Sequence, residues 1–122
     1  MKIIKLAAES GFKLVITTDH GTIYVKKPSK VVGDRETSTN IRYKTGRSLT
    51  YEDKDVWAVN DPGKLFLPKG NLSSKYIFAK NNIFLAYPKN YNHFVNYYKE
   101  TYQHGGISLE EVIIPISILE PK

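Results

Sequence analysis

Ten residues, Phe12 to Gly21 (F-K-L-V-I-T-T-D-H-G), constrain this chain more than any other stretch. The apolar run Leu14-Val15-Ile16 ends abruptly in Asp19, His20 and Gly21. A short unbroken apolar run suits a strand covered on both faces, as in a parallel sheet. Open α/β sheets place their ligands beyond the carboxyl ends of such strands. A carboxylate next to an imidazole at that point reads as a pair of metal ligands, and Gly21 lets the backbone turn tightly beside them. From the residues alone, the pair stands equally open between a ligand pair and a structural corner. A second imidazole lies 84 residues beyond His20, in His104-Gly105-Gly106. Paired glycines equally often just permit an unusual turn. Together, two imidazoles and one carboxylate fall one group short of a closed four-ligand metal site. At that spacing the fold, not a local motif, must unite them.

The segment before this stretch, Lys2 to Ser10, sets Ile3, Ile4, Leu6 and Ala7 on one helical face, and Gly11 is a good stop. Helix, turn and buried strand make half of a doubly wound unit, without the strand that should precede the helix. The expectation is a single partial domain over residues 1–122, the carboxyl-terminal part of a longer chain. Thr22 to Lys26 alternates as a short strand, and Pro28 to Asn40 reads as a polar exposed loop or lid. Short strands are expected at Asn40 to Lys44 and Asp55 to Val59, with Asp61-Pro62-Gly63 as a turn. Lys75 to Lys80 and Ile83 to Tyr87 flank Asn81-Asn82, a pair suited to a two-residue hairpin turn. Tyr91 to Tyr102 is expected to be helical, with Phe94, Val95, Tyr98 and Tyr102 on one face. Ser108 followed by Glu111 is a capping-box pattern, and Val112 to Leu119 reads as a last strand that Pro115 confines to an edge or bulge.

At 122 residues the chain can bury roughly two-thirds of its unfolded surface, enough for one core. No apolar run approaches the roughly 20 residues of a membrane span, and Met1 to Lys5 is too short and too charged for a signal peptide. The chain has no Cys, so any metal must bind through His, Asp or Glu. These features give a cytoplasmic expectation. The formal charge is +6, and the segment from Lys26 to Arg47 carries +5 of it, with every Arg in the chain. That concentration points to anionic ligands. Arg42 and Arg47, with Lys44 between them, are the candidates for gripping a substrate phosphate, because guanidinium offers phosphate a planar fork. A solvated basic surface with no ligand is the equal alternative. The same segment could attract an oligonucleotide, with nine Tyr and one Trp as stacking surfaces. His93 lies off the apolar face and is expected at the surface. Ser108 reads as a helix cap, with Glu110 and Glu111 belonging to it.

T-T-D-H-G, R-Y-K-T-G and Q-H-G-G-I-S-L-E-E-V-I-I-P together resemble the carboxyl-terminal portion of a PglZ domain, of the alkaline phosphatase superfamily. The resemblance is nearest to the effector domain of PorX-type response regulators from bacteria with type IX secretion. It implies an α/β fold: a fragment of an alkaline-phosphatase-like α/β/α sandwich, with a mixed sheet, a polar lid and few helices. It further implies a phosphodiesterase or phosphatase with two metal ions per complete domain, usually Zn²⁺, with Mn²⁺ as the less selective choice. By the resemblance, Asp19 and His20 match ligands of one metal and His104 a ligand of the other, while Gly105 and Gly106 bring the loop's backbone close. The family's nucleophile and remaining ligands lie upstream of these residues, and Thr17 and Thr18 do not match that nucleophile. The fragment alone is therefore expected to be inactive. The alternatives are a non-catalytic PglZ-like interaction module and a basic oligonucleotide binder. An open sheet edge would favour a homodimer.

Overall fold

Four consecutive apolar residues, Ile83 to Ala86, organise the interior. In the computed structural model, which describes residues 2–121, this segment is strand β9, and all four of its side chains are buried. Before it in the chain come helix α1 (Lys2–Glu9) and strands β1 (Leu14–Thr17), β2 (Ile23–Val25), β3 (Lys27–Lys30), β4 (Val32–Gly33), β5 (Tyr43–Gly46), β6 (Leu49–Thr50), β7 (Val56–Val59) and β8 (Lys75–Ala79). After it come helix α2 (Tyr91–Tyr98), strand β10 (Thr101–Gln103), helix α3 (Leu109–Val112) and strand β11 (Ile116–Leu119). One-turn 3₁₀ helices occupy Asp53–Asp55 and Pro62–Leu65. This is a mixed α/β architecture of small sheets with few helices, as expected for a piece of an alkaline-phosphatase-like fold. No helix among the described residues is long and apolar enough to cross a membrane.

Side chains alternate across a strand, and β9 uses both of its faces. Ile83 and Leu85 join Val31, Val56, Ile77 and Ala79 in one cluster. Phe84 and Ala86 join Ile23 and Val25 in another, against which Ile41, Val95 and Tyr98 of the α2 side pack. Burying Phe84 completely stabilises the fold by about 1.5–3 kcal/mol relative to leaving it exposed. β9 runs parallel to β3, with Lys27 opposite Ile83 and Lys30 opposite Ala86. The three-stranded antiparallel sheet β5-β8-β7 places Tyr43 and Trp57 on either side of Phe78. β2 pairs with β10, β4 with β6, and β1 with β11, all antiparallel.

Several expectations change here. The doubly covered parallel strand exists, but it is β9 and not the run before Asp19. β1 has β11 as its antiparallel partner, and Val15 is 55% and Ile116 66% exposed. Helix α1 packs beside Leu14, but among the described residues nothing covers Val15 or Ile116. The turn at Asn81-Asn82 forms, with Asn81 at positive φ and the Ile83 N–H donating to the Lys80 carbonyl. The strands it joins nevertheless diverge, because β5 and β7 already fill both edges of β8. The first part of the expected lid, residues 28–33, is taken up by β3 and β4, with Ser29 and Val31 buried, so the loop shortens to residues 34–40. Its Asp34 carboxylate accepts from the backbone N–H groups of Glu36, Arg47 and Ser48. Burial alone would raise the Asp34 carboxyl, but those bonds outweigh it and hold the carboxyl below its ordinary range. Helix α2 ends at Tyr98, Glu100 turns through positive φ, and Tyr102 belongs to β10, where it faces Tyr24 rather than the helix.

Candidate functional site

The corner Asp19-His20-Gly21 leaves β1 and meets the start of α3 directly, backbone to backbone. The Gly21 N–H donates to the Glu111 carbonyl at 2.9 Å. A Cβ at Gly21 would sit 2.0 Å from the Glu110 carbonyl oxygen, so only glycine permits this approach. On the other side of the same turn, the loop His104 to Ile107 leads into Ser108 and the expected capping box. The Ser108 N–H donates to the Glu111 carboxylate at 3.2 Å, its hydroxyl at 2.9 Å, and the Gly106 N–H at 2.9 Å. A side chain at Gly106 would collide with that carboxylate.

The remaining acceptor positions of Glu111 go to Arg42. Nε and Nη2 donate to the two carboxylate oxygens at 2.9 and 3.0 Å, a bidentate pair whose side chains are both buried. Arg42 also donates to the carbonyls of Ala79 and Ile83. Burial would raise the Glu111 carboxyl. The hydrogen bond and charge of Arg42, helped by Ser108 and Gly106, reverse that and hold it below the ordinary range. Glu111 thus ties the His104 loop, the Gly21 corner and β5's leading residues to one point. Sequence reasoning gave Glu111 a capping role and did not pair it with Arg42. The signal that could have found more was one Arg and one Glu flanking apolar strands, each needing a partner once inside.

The three residues expected as metal ligands do come together. The His20 and His104 rings stack with centroids 3.8 Å apart and planes 15° from parallel. Asp19 Oδ1 lies 3.6 Å from His20 Nε2. His20 Nδ1 lies 2.9 Å from the Gly21 carbonyl oxygen, which can only accept. That bond puts a ring proton on Nδ1 and turns Nε2 towards Asp19, the orientation of a histidine that ligates metal through Nε2. The donor types therefore fit a divalent cation such as Zn²⁺. As they stand, the parallel rings do not aim at a common point, and no cluster of three or more His, Asp or Glu among the described residues is arranged to hold a metal ion. Asp19 and His104 are exposed, so the site is a surface corner and not a closed cage.

The expected phosphate grip does not assemble. Arg42 has no exposed surface, and its guanidinium is fully engaged inside. Lys44 is 1% exposed, its amine 4.1 Å from the Tyr87 ring centroid. Burial pushes that amine down to about 8. Arg47 alone of the three is exposed, and Glu36 pairs with it bidentately, which raises the guanidinium further. Alternation along β5 explains the division: Lys44 turns inward between its partly exposed neighbours Tyr43 and Thr45. His93 is exposed on α2 as expected, stacked near Tyr97.

An open cleft of about 770 Å³ borders the His104 loop at Ile107 and Ser108. Tyr24, Trp57 and Tyr102 line it with Lys26 and Lys80. A family model described as the BREX system PglZ alkaline phosphatase-like domain matches residues 1–118 of the chain. No curated protein matches it.

Proposed function

Because the chain belongs to the PglZ alkaline phosphatase-like family, we propose that it supplies Asp19, His20 and His104 to the metal site of a phosphoric ester hydrolase, a phosphodiesterase or phosphatase. The observation that carries this reading is the meeting of two histidines, remote in sequence, beside one carboxylate on loops that share a single anchor. Zn²⁺ suits two imidazoles and a carboxylate, Mn²⁺ less selectively. A pair of such ions, when bound, neutralises charge on the entering and leaving oxygens of an in-line displacement. The chain's own part is to orient. The Gly21 carbonyl orients the His20 ring, Glu111 fixes both loops, and Gly105 and Gly106 keep the His104 loop close to its neighbours. On this reading the nucleophile and the remaining ligands are residues other than Asp19, His20 and His104.

The substrate class that best suits the surroundings is a nucleotide or oligonucleotide ester. The cleft beside Ser108 combines aromatic faces with two lysines, a pattern for stacking bases and neutralising phosphate. The regulatory setting we read is the output domain of a PorX-type response regulator, so a phosphorylatable receiver domain should share its polypeptide.

Zinc titration of the chain, followed by the imidazole proton resonances, tests the site without relying on turnover. Shifts at His20 and His104 but not His93, abolished at His20 by His104→Ala, support it. Unmoved His20 and His104 resonances at millimolar zinc sink it. In the complete domain, hydrolysis of an aryl phosphodiester should vanish on chelation and in His104→Ala.

A further inference from the structure

Lys44 presents a buried cation for which neither the metal site nor the fold has an evident use. Among the described residues its amine makes no hydrogen bond and no ion pair, and it lies over the face of the Tyr87 ring. The Tyr87 hydroxyl is itself occupied, donating to the Ser38 carbonyl at 2.8 Å. A charge held this way keeps little of its hydration and gains a cation–π contact, so an anion brought to it would be favoured. Lys44 and Tyr87 are walls of one cavity of about 190 Å³, closed otherwise mainly by Ile41, Leu85, Phe94 and Tyr98. An apolar cavity of roughly 150 Å³ is enough to hold benzene.

We propose that this cavity binds a small monocarboxylate with an aromatic or branched apolar body, its carboxylate on the Lys44 amine and its body against Phe94 and Tyr98. A phosphate would want several donors, and here a single amine stands among hydrocarbon walls, with the Thr39 hydroxyl as the other polar group at the rim. The cavity shares no wall with Asp19, His20 or His104, and the proposal does not rest on the metal-site reading.

Benzoate is the probe, with neutral benzamide as its isostere, both titrated into the 122-residue chain. The amide spectrum in two-dimensional NMR should change around Ala86, Tyr87 and Tyr98. Benzamide should bind about tenfold or more weakly than benzoate, the cost of losing one charge-assisted bond. Lys44→Met should weaken benzoate by a similar factor and leave benzamide unchanged. Equal affinity for both probes, perturbations centred away from the cavity, or unaltered benzoate affinity in Lys44→Met would each overturn the proposal. If Lys44→Met does not fold, the two probes on the natural chain decide it.

Discussion

β9 and β1 are each four residues long and nearly all apolar, yet they end in opposite environments. Ile83-Phe84-Leu85-Ala86 is buried throughout, whereas Leu14-Val15-Ile16-Thr17 is half-buried at Leu14 and exposed after it. The difference lies in their neighbours. β9 lies beside β3 and also receives the Ile41 carbonyl on the Leu85 N–H, and apolar side chains converge on each of its faces. β1 has β11, itself exposed at every position. A run of hydrophobic residues states a demand for cover, and the number of layers around it decides whether the demand is met.

The largest expected effect sharpens this contrast. Phe84→Ala should destabilise the chain by about 3–5 kcal/mol in urea unfolding. Ile118→Ala, of comparable chemistry on the bare ribbon, should cost under about 1 kcal/mol, because little packing is lost there. An equal cost at both would mean that β11 is covered in solution, by a second copy or another element.

Next comes the buried pair. Arg42→Met leaves the Glu111 carboxylate inside without its partner, and should cost about 3 kcal/mol or more. Replacing both partners by apolar residues should restore part of that. Because the folded carboxyl of Glu111 is held below its ordinary value, its contribution is complete above the unfolded value and is lost as pH falls through the folded one. Glu111→Gln should therefore flatten the acid limb of the stability profile, measured by unfolding from neutral pH downward.

Lys44 gives the same sign of pH dependence for a different reason, because burial disfavours its charged form. Its folded amine titrates near 8 against an ordinary 10.5, so between those values the unfolded chain holds the extra proton and folding gains stability as pH rises. Lys44→Met should stabilise the chain by about 1–2 kcal/mol at pH 7, with the gain vanishing above pH 10.5. A melting series of the two proteins across that range checks the sign. The smallest effect should be Arg47→Gln, which removes an exposed, solvent-screened pair and should leave the melting temperature essentially unchanged.

Local signals were legible where the chain needs only itself. Gly11 ends α1 at positive φ, and Ser108 with Glu111 opens α3, because caps depend on residues within one turn. The meeting of His20 and His104 was legible as a pattern of residue types, though not as a stacked pair. Side-chain destinations across sheets were not. Whether Arg42 faces water or Glu111 depends on how α3 lies against β5, and no spacing rule within the chain encodes that contact. The same holds for Tyr102, where a helical period continued on paper but pairing with β2 captured the segment.

One residue, Glu111, anchors both limbs of the histidine corner: its carboxylate accepts from the Gly106 N–H and its backbone carbonyl accepts from the Gly21 N–H. Neither limb can be retuned by itself: a substitution that loosens the first turn of α3 would be felt at His20, far earlier in the polypeptide.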